Sequence, residues 1–137
     1  PLVVVCANRL LTEDECFDPD IVFTHTSSKR TWDSICVDLG VQDKLYHIVQ
    51  QTGNVVSASV PTAISMAEKD GSLKRGDNVL VLFGSAGGSA LAYQLKISCE
   101  LLVRSQLSVC GAVDGEIQSQ MTTLNNYDVG CLLSPWT

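Results

Sequence analysis

Short apolar runs alternate with polar stretches along the first two thirds of the chain, and the spacing of the apolar positions changes from run to run. Residues 2–7 form a Val-rich run that reads as a buried strand or the start of a helix. Asn8 to Pro19 is mostly polar, with Thr12-Glu13-Asp14-Glu15 resembling a helix start or an acidic turn. Pro19 stops any helix, because the residue before a proline avoids helical geometry. Asp20 to His25 predicts a short strand with His25 at its C-terminal end, and Thr26-Ser27-Ser28 supplies caps for a following helix. In that helix Trp32, Ile35, Cys36 and Leu39 share one face, and Gly40 ends it.

Lys44 to Gln50 is a second strand candidate, followed by a Thr52-Gly53-Asn54 loop. Ser57 to Lys69 predicts a helix in which Ala58, Ala63, Ile64 and Ala67 suit close packing. Pro61 falls in its first turn, where a missing N–H costs little. Turns are expected at Asp70-Gly71 and Arg75-Gly76-Asp77. Asn78 to Phe83 is almost continuously apolar, as a strand at the centre of a sheet is. Gly84 to Ser89 turns the chain into a returning strand, Ala90 to Leu95. Beyond Lys96, Leu101–Val103 and Leu107–Val109 read as strand and Gly111–Gly115 as a turn, whereas residues 118–137 read as polar and irregular. Strands alternating with helices give an α/β layered domain. Three segments follow: a lead-in at 1–19, a core at 20–97, and an extra C-terminal segment at 98–137.

Composition narrows the function classes. The net charge of -6 argues against nucleic acid as a partner, since phosphate binding needs a basic surface. The six cysteines show no C-x-x-C spacing and no nearby His pair, which excludes the usual zinc frameworks. There is no run long enough to span a membrane and no signal peptide, so a cytoplasmic protein with free thiols is expected. Pro1 is either a processing scar or, preceding a strand, a base of the tautomerase kind.

Three places carry chemistry. His25, ending a buried strand before a capped helix, stands where α/β sheets build ligand sites. Its imidazole can exchange a proton near neutral pH; the structural alternative is a ring bonded to nearby backbone. Asn54 is either a turn residue or a fixed N–H donor to a carbonyl oxygen. The loop from Gly84 through Ser85 and Gly87 to Ser89 is either a plain hairpin or a backbone donor to an oxyanion. It carries no G-K-S/T and no GxGxxG, so it is not a phosphate loop.

The order of these parts is informative. Strand–His–helix, then G-N-x-x-S-A-S-x-P opening a helix, then K-R-G-D before strand, glycine turn and G-S-A-L, resembles ketoacyl-ACP synthase III of the thiolase superfamily. The resemblance runs from about Asp20 to Leu95. It implies a thiolase-like half, a mixed sheet with packed helices, that is incomplete without a second half and leaves an apolar helix face for it. It implies an acyltransferase or condensing enzyme in which His25 and Asn54 assist decarboxylation and stabilise an enolate, with Gly84 and its neighbours Ser85 and Gly87 at the oxyanion. No metal or organic cofactor is implied. The expected partners are a Cys-bearing thiolase-type half or subunit, acyl-CoA or acyl-ACP, and another copy in a homo- or hetero-oligomer.

The departures are definite. H-Q-A-N becomes His25-Thr26-Ser27-Ser28, the glycine loop is about two residues shorter, and no D-x-x-x-A-C-x-G segment is present. None of the six cysteines is expected to be the nucleophile. A non-catalytic thiolase-like module that binds an acyl carrier or completes a dimer is the rival reading.

Overall fold

The computed structural model describes residues 2–13, 17–85, 89–97, 105–113 and 116–124. Its first element is a helix, α1 (Leu2–Glu13). The Val run is helical because Val3, Cys6, Ala7 and Leu10, all buried, recur at i, i+3, i+4 and i+7. That stripe overrides the β preference of three consecutive valines. Thr12 lies in the last turn of α1 rather than starting a helix, and its hydroxyl donates back to Asn8 O at 2.8 Å. Since a helix follows Pro1, the strand on which its tautomerase reading depended is not there; Pro1 itself lies outside the described residues.

Strand β1 (Ile21–Thr24) leads into α2 (Lys29–Asp38), as expected. The Ser28 side chain accepts from Thr31 N–H at the start of α2, and Trp32, Ile35 and Cys36 are its buried face. Gly40 has φ +70, and Val41 N–H returns to Cys36 O at 2.9 Å, closing the end of the helix. The predicted strand at 44–50 shrinks to β2 (Leu45–Tyr46). It is cut short because a 3-10 turn (Gln42–Lys44) precedes it and a single helical turn, α3 (Val49–Thr52), follows. A 3-10 turn at Val56–Ala58 then opens α4 (Ser59–Asp70), which Gly71 ends in the left-handed conformation. Strands β3 (Asn78–Gly84) and β4 (Ser89–Lys96) match expectation.

The C-terminal segment departs from it. Strand β5 (Ser105–Val113) runs through the predicted turn at Gly111, and β6 (Glu116–Leu124) occupies part of the stretch read as irregular. Its sequence, EIQSQMTTL, has no apolar run; ladder pairing with β5 holds it extended. Residues 98–104, 114–115 and 125–137 lie outside the described residues.

Among the described residues the sheet has six strands in the order β2-β1-β3-β4-β5-β6. β1 is parallel to both β2 and β3, and the remaining pairs are antiparallel. Alternation along the central strands splits the core in two. Val22, Leu80, Leu82, Ala90 and Ala92 face α1 and α2; Ile21, Phe23, Val79, Val81 and Leu95 face α4. The result is helix, sheet and helix in three layers.

Two further expectations change. Cys6 is disulfide-bonded, so the thiols are not all free, while Cys36 is free and buried. No broad apolar helix face stands open among the described residues. The outer face of α4 carries Pro61, Ser65, Glu68 and Lys69, and the exposed large apolar residues are Val5, Val37 and Val56.

Candidate functional site

The parallel strands β2, β1 and β3 run the same way, so the residues after them gather at one edge of the sheet. Carboxyl ends of parallel strands are where open α/β sheets hold ligands. A cleft of about 610 Å³ lies there. His25 from the end of β1, Gly84 and Ser85 from the end of β3, and Ser89, Ala90 and Leu91 from β4 line it. Val56 and Ser57, two and three residues past Asn54, complete the wall with Phe83. Its ring stacks on Tyr93 with centroids 6.1 Å apart.

His25 is held by its backbone. Its N–H donates to Leu82 O at 3.2 Å and its carbonyl accepts from Ser27 N–H at 2.8 Å. The ring Nδ1 is buried with no hydrogen-bond partner, so this ring is not pinned to backbone as a structural histidine is. An unpaired lone pair costs less than an orphaned N–H, which favours the tautomer with the proton on Nε2.

Asn54 itself is exposed and does not line the cleft. Its Oδ1 accepts from Val56 N–H at 3.0 Å, a local turn of the kind asparagine favours. With the oxygen engaged, the two N–H groups of the carboxamide are the atoms left for a ligand. The loop is fastened from below. Thr26 Oγ1 accepts from Val55 N–H at 3.0 Å and lies 2.7 Å from Ser59 Oγ. Ser59 donates to Val56 O at 2.5 Å. Thr26 and Ser59 are fully buried, and each buried polar group left unmatched would cost roughly 1–3 kcal/mol. The residue so clasped, Val56, has φ +49, a conformation that β-branched residues rarely adopt.

Gly84 sits in a tight place. A Cβ there would come 3.1 Å from Val3 Cγ2 on α1. Ser85 N–H donates to Ser89 O at 2.9 Å, and the two hydroxyls lie 2.7 Å apart, so the Ser85 amide is consumed in closing the hairpin. Antiparallel pairs alternate between bonded and unbonded, so Gly84, opposite Ala90, turns its N–H toward the β1 side where His25 stands. Gly87 lies outside the described residues.

His47 and Ser59 were not singled out in the sequence, and Thr26, expected as a helix cap, bonds instead to Val55 and Ser59, the cap being Ser28. His47 follows β2; its Nδ1 accepts from Val49 N–H at 3.4 Å, and its Nε2 is buried without a partner. Burial, and then Lys29, lower its pKa from 6.5, with Asp33 opposing. The hydroxyl pair carried a faint signal, since Thr26 and Ser59 are polar positions inside otherwise close-packed segments. Cys36 is no nucleophile: burial, and then Asp33, push its thiol up to about 11.

The family model described as 3-Oxoacyl-[acyl-carrier-protein (ACP)] synthase III C terminal matches residues 15–97. The chain is 43% identical over 70 residues to beta-ketoacyl-[acyl-carrier-protein] synthase III 2 of Halalkalibacterium halodurans, covering 50% of this chain and 20% of that protein. It is 40% identical over 72 residues to the beta-ketoacyl-[acyl-carrier-protein] synthase III of Sphingopyxis alaskensis, covering 52% and 22%. The chain therefore spans about a fifth of the length of the curated relatives it matches. In fold it is similar to the 3-oxoacyl-(acyl carrier protein) synthase III of Pseudomonas aeruginosa, with TM-score 0.65 and 20% identity over 71% of this chain and 31% of that one. The synthase III of Aquifex aeolicus gives TM-score 0.56 and 25% identity over 59% and 27%.

Proposed function

Because the chain belongs to the 3-oxoacyl-ACP synthase III family, through that family's C-terminal domain, we propose that it forms one wall of a condensing-enzyme site. The nucleophilic cysteine comes from another segment or chain. In this reading an acyl-CoA acylates that cysteine, and a malonyl thioester on an acyl carrier then loses CO2 to leave an enolate. The enolate carbon attacks the acyl thioester, forming a carbon–carbon bond and returning the cysteine thiolate.

His25 donates from Nε2 to the substrate thioester carbonyl, and Asn54 donates from its carboxamide to the same developing oxygen. Two neutral donors stabilise an enolate without protonating the carbon that must attack. The Gly84 N–H supports the second oxyanion, at the acylated cysteine. Residues 20–97 are the working unit, and β5 and β6 extend the sheet beyond it. The observation that carries this reading is the clasp of Thr26 and Ser59, which binds the loop after His25 to the loop after Asn54, where Asn54 is exposed with only its Oδ1 engaged.

The test is to combine the full chain with a Cys-bearing N-terminal half of a synthase III and follow acyl transfer. His25→Ala and Asn54→Ala are each expected to lower turnover on the order of a hundredfold or more. Undiminished turnover in both variants refutes the assigned roles. One observation favours the rival module: the Ser85 amide is spent inside the hairpin, which leaves fewer donors for an oxyanion. Binding of an acyl carrier with no transfer in any assembled pair would select that reading.

A further inference from the structure

Buried hydroxyls need both a donor and an acceptor, and the protons of the clasp can be counted. Ser59 has one hydroxyl proton and gives it to Val56 O. It therefore has none left for Thr26, so across the 2.7 Å contact Thr26 is the donor and Ser59 the acceptor. Thr26 in turn accepts from Val55 N–H. The chain of bonds has one direction: Val55 N–H to Thr26, Thr26 to Ser59, Ser59 to Val56 O.

This chain encloses the backbone of Val56. Its carbonyl accepts from both the hydroxyl and the backbone N–H of Ser59 and its N–H donates to Asn54 Oδ1, while its side chain is 64% exposed and contributes little packing. Left-handed geometry at a β-branched residue is costly and persists only where the surroundings impose it. The bonds just traced are what impose it. The same peptide orients the Asn54 carboxamide, because the Val56 N–H is what Asn54 Oδ1 accepts.

We propose that Thr26 and Ser59 are positioning residues. They hold Val56 in its left-handed conformation and thereby fix the direction in which Asn54 presents its N–H groups. The inference rests on the condensing-site reading for its catalytic meaning, but its structural content does not.

The experiment has two arms. In the first, which needs no substrate, amide hydrogen exchange of the full chain is followed by NMR in wild type, Thr26→Val, Thr26→Ser and Ser59→Ala. Thr26→Val is expected to speed exchange at both Val55 and Val56 by about tenfold relative to the amides of α4, and Thr26→Ser to restore it. Acceleration at Val55 with Val56 unchanged overturns the proposal. Should Thr26→Val not fold, the readout is taken from Ser59→Ala, where Val56 exchange no faster than in wild type overturns the proposal. A Val56→Gly background needs no clasp, so there the Val56 acceleration should vanish; if it persists, the proposal fails.

In the second arm, in the assembled synthase, Thr26→Val lowers kcat with KM little changed, and its effect is not additive with Asn54→Ala. Full additivity overturns positioning. No turnover in any pair would instead count against the condensing-site reading and leave the exchange arm to decide the proposal.

Discussion

Gly84 shows how one missing methyl joins two parts of the molecule. The end of β3 passes so close to α1 that a Cβ would stand 3.1 Å from Val3 Cγ2, tighter than ordinary packing. Gly84→Ala should therefore destabilise the fold by about 1–2 kcal/mol, the usual cost of an overpacked site. Trimming the neighbour with Val3→Ala should recover part of that loss, so the double mutant should cost less than the sum of the singles. Urea unfolding of the three variants checks this, and strict additivity would mean that the contact does not limit the site. A glycine was expected at this place from the sequence, but for a different reason. The glycine run suggested backbone donors, whereas what Gly84 visibly supplies is room for a helix that the sequence left open against a strand.

At the level of elements, legibility followed local patterning. β1, α2, α4, β3 and β4 were all readable, because each combines a periodic apolar face or a continuous apolar run with a cap or a glycine stop. α1 was ambiguous because three valines favour a strand while Cys6, Ala7 and Leu10 complete a helical stripe. β6 was invisible, since its pairing partner rather than its own hydropathy holds it. Of the candidate residues, His25, Gly84 and Ser85 line the cleft and Asn54 stands beside it. The pairing of Thr26 with Ser59 was not legible, because a partner 33 residues away cannot be read locally.

The short α3 turn carries a pH dependence of its own. His47 Nδ1 receives the first N–H of that turn, and protonating the ring would eject it. The pKa of His47 is lowered in the folded chain, so the unfolded chain takes up the proton first as pH falls below 6.5. This contribution to stability is complete above that value and is lost as pH drops toward the folded pKa. His47→Asn, which keeps an acceptor but cannot titrate, should flatten the fall in unfolding free energy between about pH 8 and about pH 5. An unchanged slope would show that His47 is not the group responsible.

For the whole molecule, three layers around one mixed sheet explain why Cys36 is inert. It lies fully buried between α2 and the sheet, with its thiol held neutral. A thiol reagent should leave Cys36 unmodified in the native chain at neutral pH, and modification should rise only along the global unfolding transition in urea. Mass spectrometry of the labelled peptide measures this; rapid labelling without denaturant would mean that α2 opens locally. The same architecture brings three separate stretches of sequence to one edge of the sheet, although none of them lines the cleft alone.

The one-way run of protons through Thr26 and Ser59 has a consequence for how such a chain can vary over time. Because each hydroxyl has a single proton and a fixed recipient, the two positions are not free to drift separately. A lineage that loses the hydroxyl at 26 strands Val55 N–H, and one that loses it at 59 leaves the Thr26 hydroxyl without its acceptor and Val56 O with the backbone N–H of residue 59 alone. Glycine at 56 removes the need to hold that residue and so lifts part of the constraint. Substitutions at 26, 56 and 59 are therefore expected to be inherited as a set, with the change at 56 coming first.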